Sequence, residues 1–335
     1  MRVLIGPDKF RGTATAWEIC AAVADTLEAS GHQVITQPLA DGGEGTLDAF
    51  GGPNRTTTVT GPLGELVHAP WRLDRDTDDG HTAVIEMATA SGMALVGGAE
   101  GNDVLAASTF GTGELIVEAV DRGADRIVLG LGGSATTDGG LGALRAMEPL
   151  ARFRGLELVV ATDVLTLFTD AAAVFGPQKG ATPAQVRLLT GRLERLAQVY
   201  EETHGRDVRE LPGSGAAGGL AGGLAAIGAQ IAPGFDFVAD AVGLHDAMIH
   251  ADLVVTGEGK LDDQSFNGKV IGGVADMAAE LGRPVLAVAG VVDLTVEAPA
   301  HVTIVSLTEQ FGSDAAMTQT AQLVAKVVAD HLSSR

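Results

Sequence analysis

Five short apolar runs, each typical of a buried strand, stand near the two ends of the chain. They are RVLIGP (2–7), QVITQP (33–38), DLVVTG (252–257), PVLAVAG (284–290) and HVTIVSL (301–307). Stretches with helical spacing of apolar residues follow three of these runs, beginning at Trp17, Val270 and Met317. Strands that are apolar throughout and alternate with helices indicate a parallel sheet covered on both faces.

Roughly 200 residues separate the first two runs from the last three. The simplest topology is therefore one five-stranded, doubly wound α/β domain of the flavodoxin-like kind, split by a large inserted α/β domain. We place the outer domain at 1–50 and 250–335, and the insert at 51–249.

The insert has a different pattern. Residues 56–74 and 81–96 predict antiparallel strands, with turns at GPLG (61–64) and DTDDG (76–80). A helix is expected over 110–124, strands over 126–130 and 157–164, and a long amphipathic helix over 182–205. The Gly-rich run 213–232 suits close helix packing, or a loop that leads into a helix, better than a membrane span.

The composition of the chain limits the kinds of molecule that it is expected to bind. The 335 residues include 43 acidic and only 22 basic side chains, a net charge of −21. Such a field repels nucleic acid and anionic membrane, so neither is an expected partner. The single cysteine, Cys20, cannot form an internal disulfide and is expected to be a small buried side chain in a cytoplasmic protein. None of the eight histidines has zinc-ligand spacing.

Glycine-rich loops carrying Asp or Glu follow several of the predicted strands, where open α/β sheets bind ligands. Four of the five lysines lie in such loops: Lys9, Lys179, Lys260 and Lys269. Backbone amides together with an ammonium group are a usual way to hold phosphate. Carboxylates beside them fit a divalent metal that bridges carboxylate and phosphate, as Mg²⁺ does. The stretch GGSATTDGG (132–140) is accordingly a candidate phosphate cradle.

Each of these features also has a purely structural interpretation. The loop 132–140 could be only a strand–helix turn, Thr46 and Asp163 could be capping residues, and so could Ser108 and Thr109. Glu86 could face solvent from its strand, or belong to a site. The Gly pairs of 213–219 could serve helix packing alone.

Two common nucleotide-binding signatures have only partial matches in this chain. The nearest match to a Walker P-loop, NGKV (267–270), lacks the first glycine and the hydroxyl residue. Gly130, Gly132 and Ala135 fit a dinucleotide pattern, but no acidic residue closes a second strand at the expected distance. A nicotinamide-dependent dehydrogenase is therefore the most distant alternative.

Seven motifs, in this order, resemble the bacterial glycerate kinase family that lacks a P-loop. They are PDKFRGT, ADGGEGT, GTGELI, GGSATTDGG, FGPQKGA, GAAGGL and VVTGEGKLDDQSFNGK. The resemblance implies a flavodoxin-like domain with an inserted α/β domain, an active site in the cleft between them, and phosphorylation of glycerate with ATP and Mg²⁺. A homodimer is one expected assembly.

The resemblance and the motifs together suggest roles for individual residues. Lys9 and Lys179 are candidates to neutralise the γ-phosphate, and Asp163, Asp8 and Asp41 are candidates for Mg²⁺ binding or proton acceptance. Asp163 and Asp41 are the expected metal ligands, with Asp163 also in the catalytic set. The expected substrate-binding residues are Asp8, Arg11, Asp41 and Glu44, with Arg11 pairing with the substrate carboxylate. The expected nucleotide-binding residues are Gly132, Gly133, Ser134, Thr136, Thr137, Asp138, Gly215, Ala216 and Ala217.

The chain departs from the family pattern after Asp163 and Val164. The family usually continues with Asn-Pro-Leu, whereas this chain reads DVLTLFTDAAAVFGPQKG and is shorter there. The stretch EPLARFRGLELV is also short. These differences favour, as the main alternative, a kinase of the same fold acting on another small polyol or cyclitol. A non-catalytic nucleotide-binding regulator is a further alternative.

Overall fold

The structure is a computed structural model that describes residues 1–76, 80–262, 265–266, 269–293 and 295–334. Its strands are β1 (Arg2–Ile5), β2 (Gln33–Thr36), β3 (Arg55–Thr60), β4 (Leu66–Asp76), β5 (Gly80–Glu86), β6 (Arg126–Gly130), β7 (Glu157–Ala161), β8 (Gln230–Ala232), β9 (Leu253–Leu261), β10 (Val285–Val292) and β11 (Val302–Ser306).

The α-helices are α1 (Ala16–Ala29), α2 (Thr46–Ala49), α3 (Ala88–Ser91), α4 (Phe110–Asp121), α5 (Leu141–Ala146), α6 (Ala171–Phe175), α7 (Pro183–His204), α8 (Ala216–Ala226), α9 (Gly234–Ala241), α10 (Leu244–Ile249), α11 (Val270–Glu280), α12 (Leu307–Phe311), α13 (Ser313–Thr318) and α14 (Thr320–Ser333). Short 3₁₀ turns lie at Met93–Val96, Leu150–Phe153, Phe168–Asp170 and Pro177–Lys179. In the described part of the chain, no helix is both long and apolar enough to cross a membrane.

The first of two units comprises Met1–Asp41, Asp48–Phe50 and Phe235–Arg335. Its sheet has five strands in the order β11-β10-β9-β1-β2, and every neighbouring pair is parallel. Renumbered within the unit, this is the order 2-1-3-4-5 of flavodoxin-like sheets. The predicted five-stranded parallel sheet is thus confirmed.

Helices cover both faces of this sheet because each strand buries side chains on both sides. Leu4 packs into a core with residues of α9, α10 and α11. Its neighbours Val3 and Ile5 point the other way, into a core shared with α1 and α14. Cys20, on α1, is fully buried in the second of these cores, as predicted.

The second unit comprises Gly42–Leu47 and Gly51–Gly234. Its six-stranded sheet has the order β3-β4-β5-β6-β7-β8. The pairs β3–β4 and β4–β5 are antiparallel, and the remaining pairs are parallel. The core of the unit contains the large buried side chains of Trp71, Tyr200 and Phe168.

Some details differ from the sequence-based expectations. Contacts assign Phe235–Ile249 to the first unit, whereas the sequence placed these residues in the insert. Phe235, Leu244 and Met248 belong to a first-unit core, and an amphipathic helix alone does not tell which core it joins. The second expected antiparallel stretch is a strand only as far as Glu86, after which the chain turns helical. Residues 77–79 of the expected turn 76–80 lie outside the described residues.

Candidate active site

The loop 131–140 connects β6 to α5 in the second unit, and neighbouring backbone fixes it along its length. The amide of Leu131 donates to Gly42 O, that of Ala135 to Ser91 O, and that of Gly139 to Gly218 O. A Cβ at Gly132 would lie 2.6 Å from the amide nitrogen of Glu44. The bare backbone at Gly132 therefore accommodates another segment of this chain.

Lys179 brings two of the expected nucleotide-binding residues together. Its Nζ donates to Ser134 Oγ at 2.8 Å and to Thr136 O at 2.6 Å. The residue is only 3% exposed, and burial lowers the pKa of its ammonium to about 7, with Asp138 acting in the opposite direction. Asn102, which the sequence did not single out, ties the same region by donating to Ala135 O and Lys179 O.

Hydrogen bonds from neighbouring residues of the second unit hold the Asp138 carboxylate in place. Its carboxylate accepts from the amide and hydroxyl of Thr109, at 2.8 and 2.9 Å, and from the amides of Gly140 and Gly142, both at 3.1 Å. These bonds fix the start of α5, and Thr109 Oγ1 accepts from Ala143 N there. Thr109 thus stabilises α5 with its side chain, while occupying the N-cap position of α4. The contacts of Asp138 favour a structural role.

The second Gly-rich loop lies against the first. Ala217 has a left-handed backbone with φ of 52°, which is unusual for a residue other than glycine. A Cβ at Gly218 would lie 2.0 Å from Thr136 O, so only glycine fits there. The segment that contains Gly215, Ala216 and Ala217 thus lies against the 131–140 loop through Gly218, and a nucleotide-binding role for these residues stays a prediction.

Three hydroxyl groups of these two loops are buried without a hydrogen-bond partner among the described residues. They belong to Thr136, Thr137 and Ser214. Buried polar atoms without a partner are rare in native proteins and call for an explanation, such as a bound molecule or water. Together with the Lys179 ammonium, they give this part of the second unit the chemistry of an anion site.

Two further carboxylates shape the ends of nearby strands in the second unit. Asp163 follows β7, and its Oδ1 accepts from the amide of Gly234 at 2.7 Å. Glu86, at the end of β5, is 8% exposed and accepts from the amides of Gly45 and Leu47, both at 2.8 Å. Glu86 therefore holds the ADGGEGT loop instead of facing solvent. Glu44, in that loop, is exposed.

The first unit gathers a separate group of charges at the carboxyl ends of its strands. Asp8 follows β1, its amide donates to Gly257 O, and its Oδ1 accepts from Lys9 N at 2.7 Å. Lys9 Nζ lies 4.0 Å from the same oxygen. Arg11 is exposed and Asp41 is half-buried. The structure thus brings Asp8 and Lys9 together.

Burial raises the pKa of Asp8 to about 7, against the opposing effect of Lys9 and with further raising by Asp41 and Glu258. Burial also raises the pKa of Glu258, which a hydrogen bond from Ser265 opposes. Glu258 lies within the motif VVTGEGKLDDQSFNGK, and the sequence alone did not identify it as a site residue. The signal that could have identified it is its position directly after the apolar run DLVVTG (252–257), where parallel sheets place ligand-binding groups. Residues 263, 264, 267 and 268 of that motif lie outside the described residues.

The described part of the chain contains no group of three or more His, Cys, Asp or Glu arranged to hold a metal ion. Mg²⁺ usually takes one or two protein carboxylates and completes its shell with water and phosphate oxygens. The half-buried carboxylates of Asp41 and Asp163 suit that requirement chemically, and their role stays a prediction.

The fold and these loops define an α/β protein with paired Gly-rich loops and no P-loop. The chain matches the glycerate kinase family over residues 3–150 and 148–333. It belongs to the glycerate kinase family. It is thus a kinase, an enzyme that transfers a phosphoryl group to an alcohol acceptor.

Individual relatives agree with this family assignment. The chain is 38% identical over 330 residues to glycerate 2-kinase of Escherichia coli (strain K12), covering 87% of this chain and 85% of the relative. It is 39% identical over 328 residues to a glycerate kinase of Halalkalibacterium halodurans, covering 86% and 85%. A crystal structure from Salmonella typhimurium LT2, described as a candidate glycerate kinase 2, superposes with a TM-score of 0.79 at 34% identity, covering 99% of each chain.

Proposed function

We propose that this protein transfers the γ-phosphoryl group of ATP, with Mg²⁺, to a hydroxyl of D-glycerate and so forms phosphoglycerate. The observation that carries the proposal is identity of 38–39% to glycerate kinases across about 85% of their length. The paired Gly-rich loops of the second unit support it, as do their hydroxyls that have no hydrogen-bond partner among the described residues, because phosphoryl transfer depends on positioning and charge neutralisation.

In this proposal the nucleotide is bound by the loops that contain Ser134, Thr136, Thr137 and Gly215–Ala217. Lys9 supplies a charge for the transferred phosphoryl group, and Lys179 acts through the loop that its ammonium holds. Arg11 pairs with the glycerate carboxylate as a planar, bidentate donor, and Glu44 and Asp41 bond its hydroxyls.

Asp8 is our candidate to accept the proton of the attacking hydroxyl, because it is buried at a strand end and its pKa lies near neutrality. Asp41 and Asp163 are the carboxylates proposed to hold Mg²⁺. When bound, Mg²⁺ would neutralise charge on the phosphate oxygens.

The test is a panel assay with purified protein, ATP, Mg²⁺ and separate acceptors: D-glycerate, L-glycerate, glycerol, other polyols and a cyclitol. We expect ADP release that depends on D-glycerate, and phosphorus NMR identifies the phosphorylated hydroxyl. Turnover of a polyol or cyclitol with glycerate inert would retain the kinase and reject the acceptor. ATP binding without acceptor-dependent ADP release would instead favour a regulator.

Variants test the role of Asp8. Asp8→Asn is expected to lower kcat by about 10²- to 10⁴-fold, the usual contribution of general base catalysis, with a much smaller effect on KM. Asp25→Asn, at an exposed position of α1, is the matched control and should leave kcat unchanged. Equal kcat values for the two variants would remove Asp8 from the mechanism.

A further inference from the structure

A groove of about 770 Å³ lies within the second unit, between the loop 104–110, the start of α5 and one side of α7. Thr137 and Asp138, at the end of the 131–140 loop, also line it. Its volume falls within the range of about 300–1,000 Å³ that is usual for small-molecule sites. We call it the arginine groove, after Arg145, Arg187, Arg192 and Arg195, which line it.

The arginine side chains that line the groove are positively charged, whereas the net charge of the chain is negative. Four cations line one groove in a chain whose net charge is −21. Arg192 donates to Leu105 O, and Arg195 lies 3.9 Å from Glu202. Arg145 and Arg187 have neither a hydrogen bond nor an ion pair within the described part of the chain. Because backbone amides and the Thr109 hydroxyl already surround the Asp138 carboxylate, the groove as a whole attracts an anion.

The remaining lining is chiefly apolar. Phe110, Leu141 and Leu188 contribute to it, and Leu188 is 48% exposed. Thr137 adds a second kind of signal, because this residue is 2% exposed and its Oγ1 has no partner among the described residues. A ligand that fits this lining combines a flat apolar group, several negative charges and an atom that bonds a hydroxyl.

We propose that the arginine groove binds the nucleoside triphosphate of the reaction. The base lies on the apolar wall beside Phe110 and Leu188, and the phosphates face Arg145 and Arg187 at the end of the 131–140 loop. Guanidinium groups suit both parts of this ligand, since they bond phosphates bidentately and stack on aromatic rings. The proposal rests on the proposed function, and it extends the nucleotide site to helix α7 and the 104–110 loop.

Gly191 offers a direct test. It lies on α7 in the groove lining, and a Cβ there would meet no atom of the described residues within 4 Å. Gly191→Trp therefore fills the groove without disturbing the core. Glu194→Trp places the same side chain on the same helix at an exposed position that does not line the groove, and serves as the control. The double variant Arg145→Gln with Arg187→Gln removes two charges and no hydrogen bond of the described chain.

ATP binding without acceptor is measured by isothermal titration calorimetry, and thermal unfolding checks the fold of each variant. We expect Gly191→Trp and the double arginine variant each to raise the Kd for ATP by about tenfold or more, the order lost with one or two charge-assisted contacts. Glu194→Trp should bind as the wild type does. If Gly191→Trp fails to fold, the arginine variant decides the question. Photolabelling with 8-azido-ATP should mark peptides from 104–110 or 187–199.

The possible outcomes test the proposed nucleotide groove and the proposed function independently. Equal Kd values for all variants, or a label confined to other peptides, would overturn the groove even if glycerate is phosphorylated. The expected pattern of Kd values, in a wild type that releases no ADP with any acceptor, would support the groove and reject the proposed function. A wild type that does not bind ATP would reject both.

Discussion

Lys179 carries an ammonium group into the interior of the second unit, which makes the stability of that unit depend on pH. The residue is 3% exposed, and burial lowers its pKa from 10.5 to about 7. Between these two values the unfolded chain binds a proton that the folded chain has lost. The free energy of unfolding should therefore rise with pH above 7, and should be nearly flat with respect to this group below pH 6.

The size of the effect follows from the two pKa values. Linkage allows at most about 1.4 kcal/mol per pH unit for one proton. Between pH 7 and pH 9, the expected gain in the free energy of unfolding from Lys179 is about 2 kcal/mol. Lys179→Met keeps the length of the side chain and removes the titrating group. The difference in unfolding free energy, wild type minus Lys179→Met, should therefore grow by that amount.

The assay is urea unfolding at pH 6, 7, 8 and 9, followed by the fluorescence of Trp71, which is buried in the second unit. A Trp17→Phe background removes the other tryptophan. Lys326→Met, at an exposed position of α14, is the control and should give curves parallel to the wild type. Parallel curves for Lys179→Met as well would show that Lys179 does not titrate in this range, and would refute the argument.

Four further substitutions test the packing of the loops and of helix α7. Glu86→Gln replaces a carboxylate that accepts from two backbone amides and should destabilise the second unit by about 1–3 kcal/mol, measured by urea unfolding. Gly132→Ala should destabilise by about 1–3 kcal/mol because its Cβ meets backbone. Gly191→Ala, with open space around its Cβ, should instead stabilise α7 by about 1 kcal/mol, so a shift of the same sign for both would contradict this interpretation. Asp138→Asn should cost about 1–3 kcal/mol and speed amide exchange at the start of α5, and unchanged exchange would argue against its capping role.

Periodicity in the sequence was enough to predict the first sheet. Its strands are buried on both faces, so each appears as a continuous apolar run that local pattern can detect. The boundary of the insert was harder to predict, because helices α9 and α10 are amphipathic and would suit either core. Their assignment depends on contacts between residues distant in sequence.

In the candidate site, too, contacts between residues distant in sequence could not be predicted. The sequence identified Lys179 and Ser134 separately, yet they are 45 positions apart and their hydrogen bond exists only in the fold. The same holds for Asp138 and Thr109, 29 positions apart, which the sequence assigned to different tasks. At Gly132 the sequence could not distinguish room for a ligand from room for the chain itself. The close approach of the Glu44 backbone supplies the second explanation.

The order of strands in the first unit has a consequence for synthesis on the ribosome. Strand β1 pairs with β9, so Val3 and Ile5 cannot complete their strand pairing until Leu253 and Val255 have been synthesised. At about 5–20 residues per second, that delay is roughly ten to fifty seconds. All strands of the second unit emerge before β9, so this unit can fold while the amino-terminal strands are still unprotected. A chaperone that binds nascent chains would find its longest-lived target in those first two strands.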